Sequence, residues 1–192
     1  MRSLFAALLL FAGGAQALPF ISEIHYDNSG SDVGEFVELT GIDLDLSGWS
    51  LHFYNGATGG AYDVLALSGI FPAAQLGALA FFPAFSLQNG PADGVALIDA
   101  GGSVVEFIAY EGALIALSGP AAGHAARQLP IAESNATPIG DALQRTHLRN
   151  TDLWAAAQAT PGRLNYGLVP TPASALLLLW GLALFRLRTA SA

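Results

Sequence analysis

Oxygen-bearing side chains are concentrated in one short loop near the start of the chain, DNSGSDVGE at residues 27–35. Clustered carboxylate and amide oxygens on a glycine-containing loop suit a hard cation such as calcium. The candidate ligands are Asp27, Asn28, Asp32 and Glu35. The spacing is not that of an EF-hand, because the first glycine stands at the fourth position of the loop. Asp, Asn, Ser and Gly are also the usual residues of turns, so the loop predicts a calcium site or, alternatively, a structural turn.

A second candidate metal site is the row Glu23, His25 and Asp27, at alternate positions of a strand pattern. Alternate residues of a strand project from one face, and a neutral imidazole beside carboxylates can bind zinc or iron. The alternative is that this row forms the solvent-exposed side of a half-buried strand.

Catalytic motifs are not recognisable in the sequence. Cysteine is absent, which excludes a thiol nucleophile, a thiolate zinc site and disulfides. No serine lies in a G-x-S-x-G elbow, and neither dinucleotide-binding nor Walker-type glycine motifs occur. The histidines fall in separate segments, at His25, His52, His124 and His147. These observations favour a non-enzymatic protein.

The charge distribution argues against direct binding of nucleic acid. Residues 18–166 carry all 15 acidic side chains, whereas their positive side chains are Arg127, Arg145, Arg149 and Arg163. An acidic body without a basic cluster repels a phosphate backbone. Divalent cations are the more plausible ionic partners.

Alternating apolar and polar residues predict a series of short strands. In WSLHFYN, for example, Trp49, Leu51 and Phe53 alternate with polar neighbours. The predicted strands are 20–27, 35–39, 49–55, 61–69, 77–82, 95–99, 103–110 and 141–149. Residues 111–140 are broken by Gly and Pro and are expected to form loops and short edge strands. Strands at intervals of roughly ten residues, without helical periodicity, predict an all-β sandwich or barrel.

The large aromatic residues are expected to pack in the core of this domain. Trp49, Phe53 and Trp154 are assigned to it. Four phenylalanines crowd one region and predict either core packing or an exposed patch for a partner or a glycan: Phe71, Phe81, Phe82 and Phe85.

Residues 1–17 have the pattern of a secretory signal peptide. Arg2 is followed by an apolar run and by the small-residue signature Ala15-Gln16-Ala17, which predicts cleavage after Ala17. The alternative, an N-terminal membrane anchor, needs about 20 apolar residues, and this run is shorter. The chain is therefore expected to be exported.

Residues 167–192 predict a second targeting segment. The extended spacer Val169-Pro170-Thr171-Pro172 leads into an apolar run from Ala173 to Phe185, and Arg186 and Arg188 follow directly. Positive residues after a hydrophobic helix favour a cytoplasmic C-terminal end. A buried core helix is the alternative, but an apolar run without a polar face suits it poorly.

The body of the chain resembles the bacterial secreted type of lamin tail domain. The resemblance rests on motifs in the expected order: 21–28 (ISEIHYDN), 34–39, 46–51 (LSGWSL), 54–56, 106–112 (EFIAYEG), Trp154 and 160–165 (TPGRLN). It implies an immunoglobulin-like β-sandwich at residues 18–166 that serves as an interaction or accessory module. In bacteria such modules are often attached to secreted nucleases and other hydrolases, which gives the alternative of an accessory to a secreted metal-dependent nuclease.

The C-terminal segment is similar to a PEP-CTERM sorting signal. The motif spans Val169, Pro170, Thr171, Pro172 and Ala173, with Arg186 and Arg188 after the hydrophobic helix, and Thr171 stands where Glu is usual. The resemblance implies export from a Gram-negative bacterium, transient anchoring in the inner membrane and processing by an exosortase. Extracellular polysaccharide or a surface protein is the expected partner, and the chain is then exposed at the cell surface or released.

Overall fold

The computed structural model describes residues 18–148, 150 and 152–168. The predicted signal peptide with Ala15 and Ala17, and the predicted sorting segment from Val169 to Arg188, lie outside these residues. Within the described ranges, no helix is long and apolar enough to cross a membrane.

The regular secondary structure of the described chain consists almost entirely of short β-strands, as the alternation predicts. A short 3-10 helix, Tyr166–Leu168, ends it. The strands are β1 Phe20–His25, β2 Phe36–Gly41, β3 Ser50–Asn55, β4 Gly60–Ala66, β5 Gly77–Phe81, β6 Gly94–Ile98, β7 Val104–Ala109, β8 Arg127–Gln128, β9 Asp141–Arg145 and β10 Trp154–Gln158.

The strands form two five-stranded sheets that pack as a β-sandwich. The first sheet has the order β10-β9-β1-β2-β5 and the second β4-β3-β6-β7-β8. Neighbouring strands are antiparallel, apart from the parallel pair β7 and β8. The predicted strand at 141–149 ends at Arg145, and Trp154 begins a strand of its own that the alternation did not predict.

The core lies between the sheets and contains Trp49, Phe53 and Trp154, as expected. The four crowded phenylalanines divide: Phe71 is buried in the core, Phe81 and Phe85 pack against it, and Phe82 is 59% exposed. A second apolar cluster, which includes Tyr54, covers the outer face of the second sheet under residues 111–126. The central strand β6 of that sheet is therefore buried on both faces.

Strand β1 is also buried on both faces, which corrects the expectation of a solvent-exposed row. Glu23 is 0% exposed and His25 3%. A bulge at Ser22 shifts the register, so that Ile21 joins Ile24 in the core, whereas simple alternation places Phe20 there. The outer face is covered by residues far along the chain, which the local pattern does not show.

The first and last described residues lie at the same end of the sandwich. β1 and β9 run antiparallel, with Glu23 opposite Gln144, so the start of β1 is beside the end of β9. Gly167 packs directly against the backbone of Thr146, just after β9, and Leu168 is fully buried. We call this the terminal end. Loop 27–35, between β1 and β2, is at the opposite end, which we call the acidic end.

Candidate functional site

Glu133 organises the acidic end, although nothing in its local sequence singles it out. It is 3% exposed. Its Oε1 lies 2.9 Å from Nδ1 of His25, and its Oε2 accepts hydrogen bonds from the backbone N–H groups of Tyr26 (2.6 Å) and Asp27 (3.0 Å). In return, the Glu133 N–H donates to the Tyr26 hydroxyl at 2.7 Å. One side chain therefore fixes both the end of β1 and the beginning of loop 27–35.

The other ring nitrogen of His25 holds the middle of the loop. Asn28 Nδ2 lies 3.0 Å from His25 Nε2 and donates to the carbonyl of Val33 at 3.0 Å. A neutral imidazole that donates from Nδ1 to Glu133 and accepts at Nε2 from Asn28 satisfies both contacts. Burial alone lowers the pKa of His25, but the hydrogen bond and charge of Glu133 raise it above its usual value.

Protonation of His25 changes the bonding within the loop. A second ring proton, on Nε2, turns that nitrogen from an acceptor into a donor. It then faces the Val33 carbonyl at 3.2 Å and competes with the Asn28 amide for it. The conformation of the loop is thus coupled to the charge of one buried histidine.

The four candidate calcium ligands lie close together in sequence but only partly converge. Asp32 Oδ1 accepts from the Asn28 N–H at 3.4 Å, and its Oδ2 accepts from Asn89 Nδ2 at 3.1 Å. Glu35 Oε2 accepts from the Leu87 N–H at 2.8 Å. Both oxygens of Asp32 and one oxygen of Glu35 thus anchor the loop, as the structural alternative expects.

Two oxygens of the predicted set remain unused within the described part of the chain. Asn28 Oδ1 and Glu35 Oε1 are buried and have no hydrogen-bond partner there. Burial is the largest cause of the raised pKa of Asp27, and the charge of Asp32 is the next. The carboxylates of Asp27 and Asp32 are therefore neighbours. Among the described residues, however, no group of three or more His, Asp or Glu side chains is arranged to hold a metal ion. Calcium binding by the loop stays a prediction.

The row Glu23, His25 and Asp27 does not form a common site. Both ring nitrogens of His25 face Glu133 and Asn28. Glu23 belongs to a different network, where it accepts hydrogen bonds from Thr160 and Gln144. Glu23 and His25 are therefore held by different partners.

Several carboxyl groups at the acidic end have raised pKa values. Burial is the largest cause for Asp27, Glu35 and Glu111, and repulsion between neighbouring acids adds to it. Within the described ranges, the ion pairs of arginine involve Glu106 and Asp152 at the terminal end. Protons or cations are thus expected to stabilise the acidic end.

A buried acidic pair lies on the outer face of the first sheet, where Glu23 of β1 is directly opposite Glu38 of β2. Both are 0% exposed. Glu38 accepts from the Ser22 hydroxyl (2.8 Å) and the Gly162 N–H (2.9 Å), and Glu23 accepts from the N–H and hydroxyl of Thr160 (both 2.9 Å). We call residues 160–165 the closing segment.

Burial raises the pKa of Glu38 to about 7, and the charge of Glu23 contributes to the increase. The pKa of Glu23 is likewise raised by burial. Because both carboxyl groups are shielded from solvent by the closing segment, they cannot meet a substrate. Their role is structural: they fasten the closing segment to the sheet.

Neither His52 nor His124 belongs to a catalytic triad in the described part of the chain. His52 Nε2 lies 3.1 Å from the Ser50 hydroxyl on the same strand, and His124 Nδ1 lies 3.2 Å from the Ala121 carbonyl oxygen. A serine nucleophile also needs an acid that orients the histidine. No hydrogen bond joins either of these rings to a carboxylate among the described contacts.

Comparison of the chain with models of known protein families, with curated proteins and with solved structures finds no match.

Proposed function

We propose that the chain is an exported, non-catalytic interaction module, an immunoglobulin-like β-sandwich of the lamin tail type. In this proposal its leader is removed after Ala17, and the C-terminal segment anchors it in the inner membrane of a Gram-negative bacterium. An exosortase-type enzyme then processes the segment from Val169 onward, and the sandwich reaches the cell surface.

The observation that carries this proposal is the position of the two ends. Leu18 and Leu168 lie at the terminal end, and loop 27–35 lies at the opposite end. A sandwich tethered through residue 168 therefore directs its acidic loops away from the membrane. This orientation suits a module that presents a binding surface to the exterior.

The hydrogen bonding at the acidic end also supports a binding role. Glu133 holds the start of the loop through contacts with His25, Tyr26 and Asp27. The loop therefore loses little conformational entropy when a partner binds. The partner we propose is an extracellular polysaccharide or a surface protein, and calcium can bridge the acidic loop to an acidic partner.

The proposal is tested by locating the full chain in cells. A short epitope inserted between Ala57 and Thr58, in the β3–β4 turn, reports on exposure at the acidic end. We expect the epitope to be accessible to antibody at the cell surface, and a chain that lacks residues 169–192 to be released in soluble form. Recovery of the intact chain, with both ends retained, in the cytosol would refute the proposal.

A further inference from the structure

A groove of about 610 Å³ opens at the terminal end, beside the start of β1. Its walls are mainly apolar and come from separate segments of the chain: Leu18, Phe20, Leu76, Val105 and Leu148. The charged residues that line it are Arg127, Arg145 and Glu106. A concave, mostly apolar cavity of this size with a few converging charged groups is the usual form of a small-molecule site.

Two positive charges in this groove share one carboxylate. Arg127 Nη2 and Arg145 Nη2 both donate to Oε1 of Glu106. The other oxygen, Oε2, accepts from the Ile21 N–H at 2.7 Å. Asp152 lies 3.9 Å from Arg127, but its side chain is 73% exposed, so water largely screens its charge. The groove therefore retains a net positive charge in an otherwise acidic protein.

The two guanidinium groups also have donors to spare. The Nε atoms of Arg127 and Arg145 are buried and have no acceptor among the described residues. The Arg145 side chain is only 2% exposed, and its guanidinium lies 4.7 Å from the centre of the Phe20 ring. Arg127 is more accessible, with 28% of its side chain exposed. Both guanidinium groups therefore have hydrogen-bonding capacity that Glu106 does not use.

We propose that this groove binds a small organic monocarboxylate with an apolar body. The carboxylate of the ligand pairs with Arg127 and Arg145. Glu106 balances only one of these two positive charges, and the ligand balances the other. The planar guanidinium fork suits carboxylate geometry. The apolar body rests against Phe20, Leu76 and the neighbouring walls. A monoanion fits best because it neutralises the excess of one positive charge, whereas a neutral molecule leaves that charge unpaired.

The test is a titration of the full chain, held in lipid nanodiscs and labelled with isotope-enriched arginine. Phenylacetate is the probe, and phenylacetamide, which has the same shape without the charge, is its matched control. We expect phenylacetate to shift the Nε–H resonances of Arg127 and Arg145 saturably, and phenylacetamide to leave them unchanged. Arg127→Gln should weaken binding by at least tenfold, while Arg163→Gln, at an exposed position away from the groove, should not.

Leu76→Asp provides an independent variant. It leaves Arg127, Arg145 and Glu106 unchanged and places a negative charge in the groove wall. It should also weaken phenylacetate binding by at least tenfold. Equal effects of phenylacetate and phenylacetamide would overturn the proposal. So would unchanged affinity in folded Arg127→Gln or Leu76→Asp, or the absence of any saturable shift in the unmodified chain.

Discussion

Replacing Glu38 by glutamine should change how the stability of the sandwich depends on pH. The buried Glu38 has a pKa of about 7 in the folded protein, compared with a usual value of 4.5. Because the folded protein holds this proton more tightly than the unfolded chain does, the group stabilises the fold fully below pH 4.5. That contribution falls as pH rises and is lost above about pH 7.

The size of the effect follows from the shift in pKa. One pKa unit corresponds to about 1.4 kcal/mol, so the change from 4.5 to about 7 amounts to roughly 3 kcal/mol between acidic and mildly alkaline solution. This is a large part of the stability of a typical domain, which is about 5–15 kcal/mol.

Glutamine fits the same hydrogen-bond network without a charge. Its carbonyl oxygen can accept from the Gly162 N–H, as Glu38 Oε2 does at 2.9 Å. Its amide can donate to the Ser22 hydroxyl, which in turn donates to the backbone carbonyl of residue 38 at 3.3 Å. Glu38→Gln should therefore remove the charge without leaving a buried polar group unpaired.

The measurement is urea unfolding of the full chain in mild detergent at several values between pH 5 and pH 8, followed by tryptophan fluorescence. We expect the loss of unfolding free energy across this range to be about 1–3 kcal/mol smaller in Glu38→Gln than in the unmodified chain. Asp63→Asn, on edge strand β4, is the control and should keep the original slope. An unchanged slope in Glu38→Gln, or equal destabilisation at every pH, would contradict the argument.

Two further predictions concern the acidic end, and a third concerns nuclease activity. Millimolar calcium should raise the melting temperature of the intact protein, and Asp27→Ala or Asp32→Ala should reduce that increase; an unchanged melting temperature in the intact protein would remove the calcium hypothesis. Glu133→Gln should destabilise the fold by about 1–3 kcal/mol, because its amide donates towards Nδ1 and forces the ring proton of His25 onto Nε2. The nitrogen chemical shifts of His25 report that tautomer, and an unaltered tautomer would contradict the assigned network. Purified protein incubated with DNA and magnesium or calcium should leave the DNA intact. Cleavage that a chelator abolishes would instead favour a nuclease.

Much of the fold could be predicted from local sequence patterns. The alternation around Trp49, Leu51 and Phe53 identifies β3 and the face that it buries, and similar patterns identify most of the longer strands. The two-residue strand β8 is too short to show a period. β10 was missed because Ala155 to Ala157 carry no contrast between apolar and polar side chains.

The networks of buried acids could not be predicted in the same way. Periodicity shows which residues share a face, but it does not show what covers that face. Glu133 meets His25 across a separation of 108 residues, and Thr160 meets Glu23 across 137. The local pattern predicts that Glu23 and His25 face solvent, whereas distant segments of the chain bury both.

The opposite placement of the acidic loop and Leu168 has a mechanical consequence. If a partner is held at the loop while the chain is tethered beyond residue 168, tension runs along the strands from one end of the sandwich to the other. The hydrogen bonds between antiparallel strands lie perpendicular to that direction, so many of them resist the pull together in shear instead of opening one after another. Such a sandwich is suited to withstand tension between these two points.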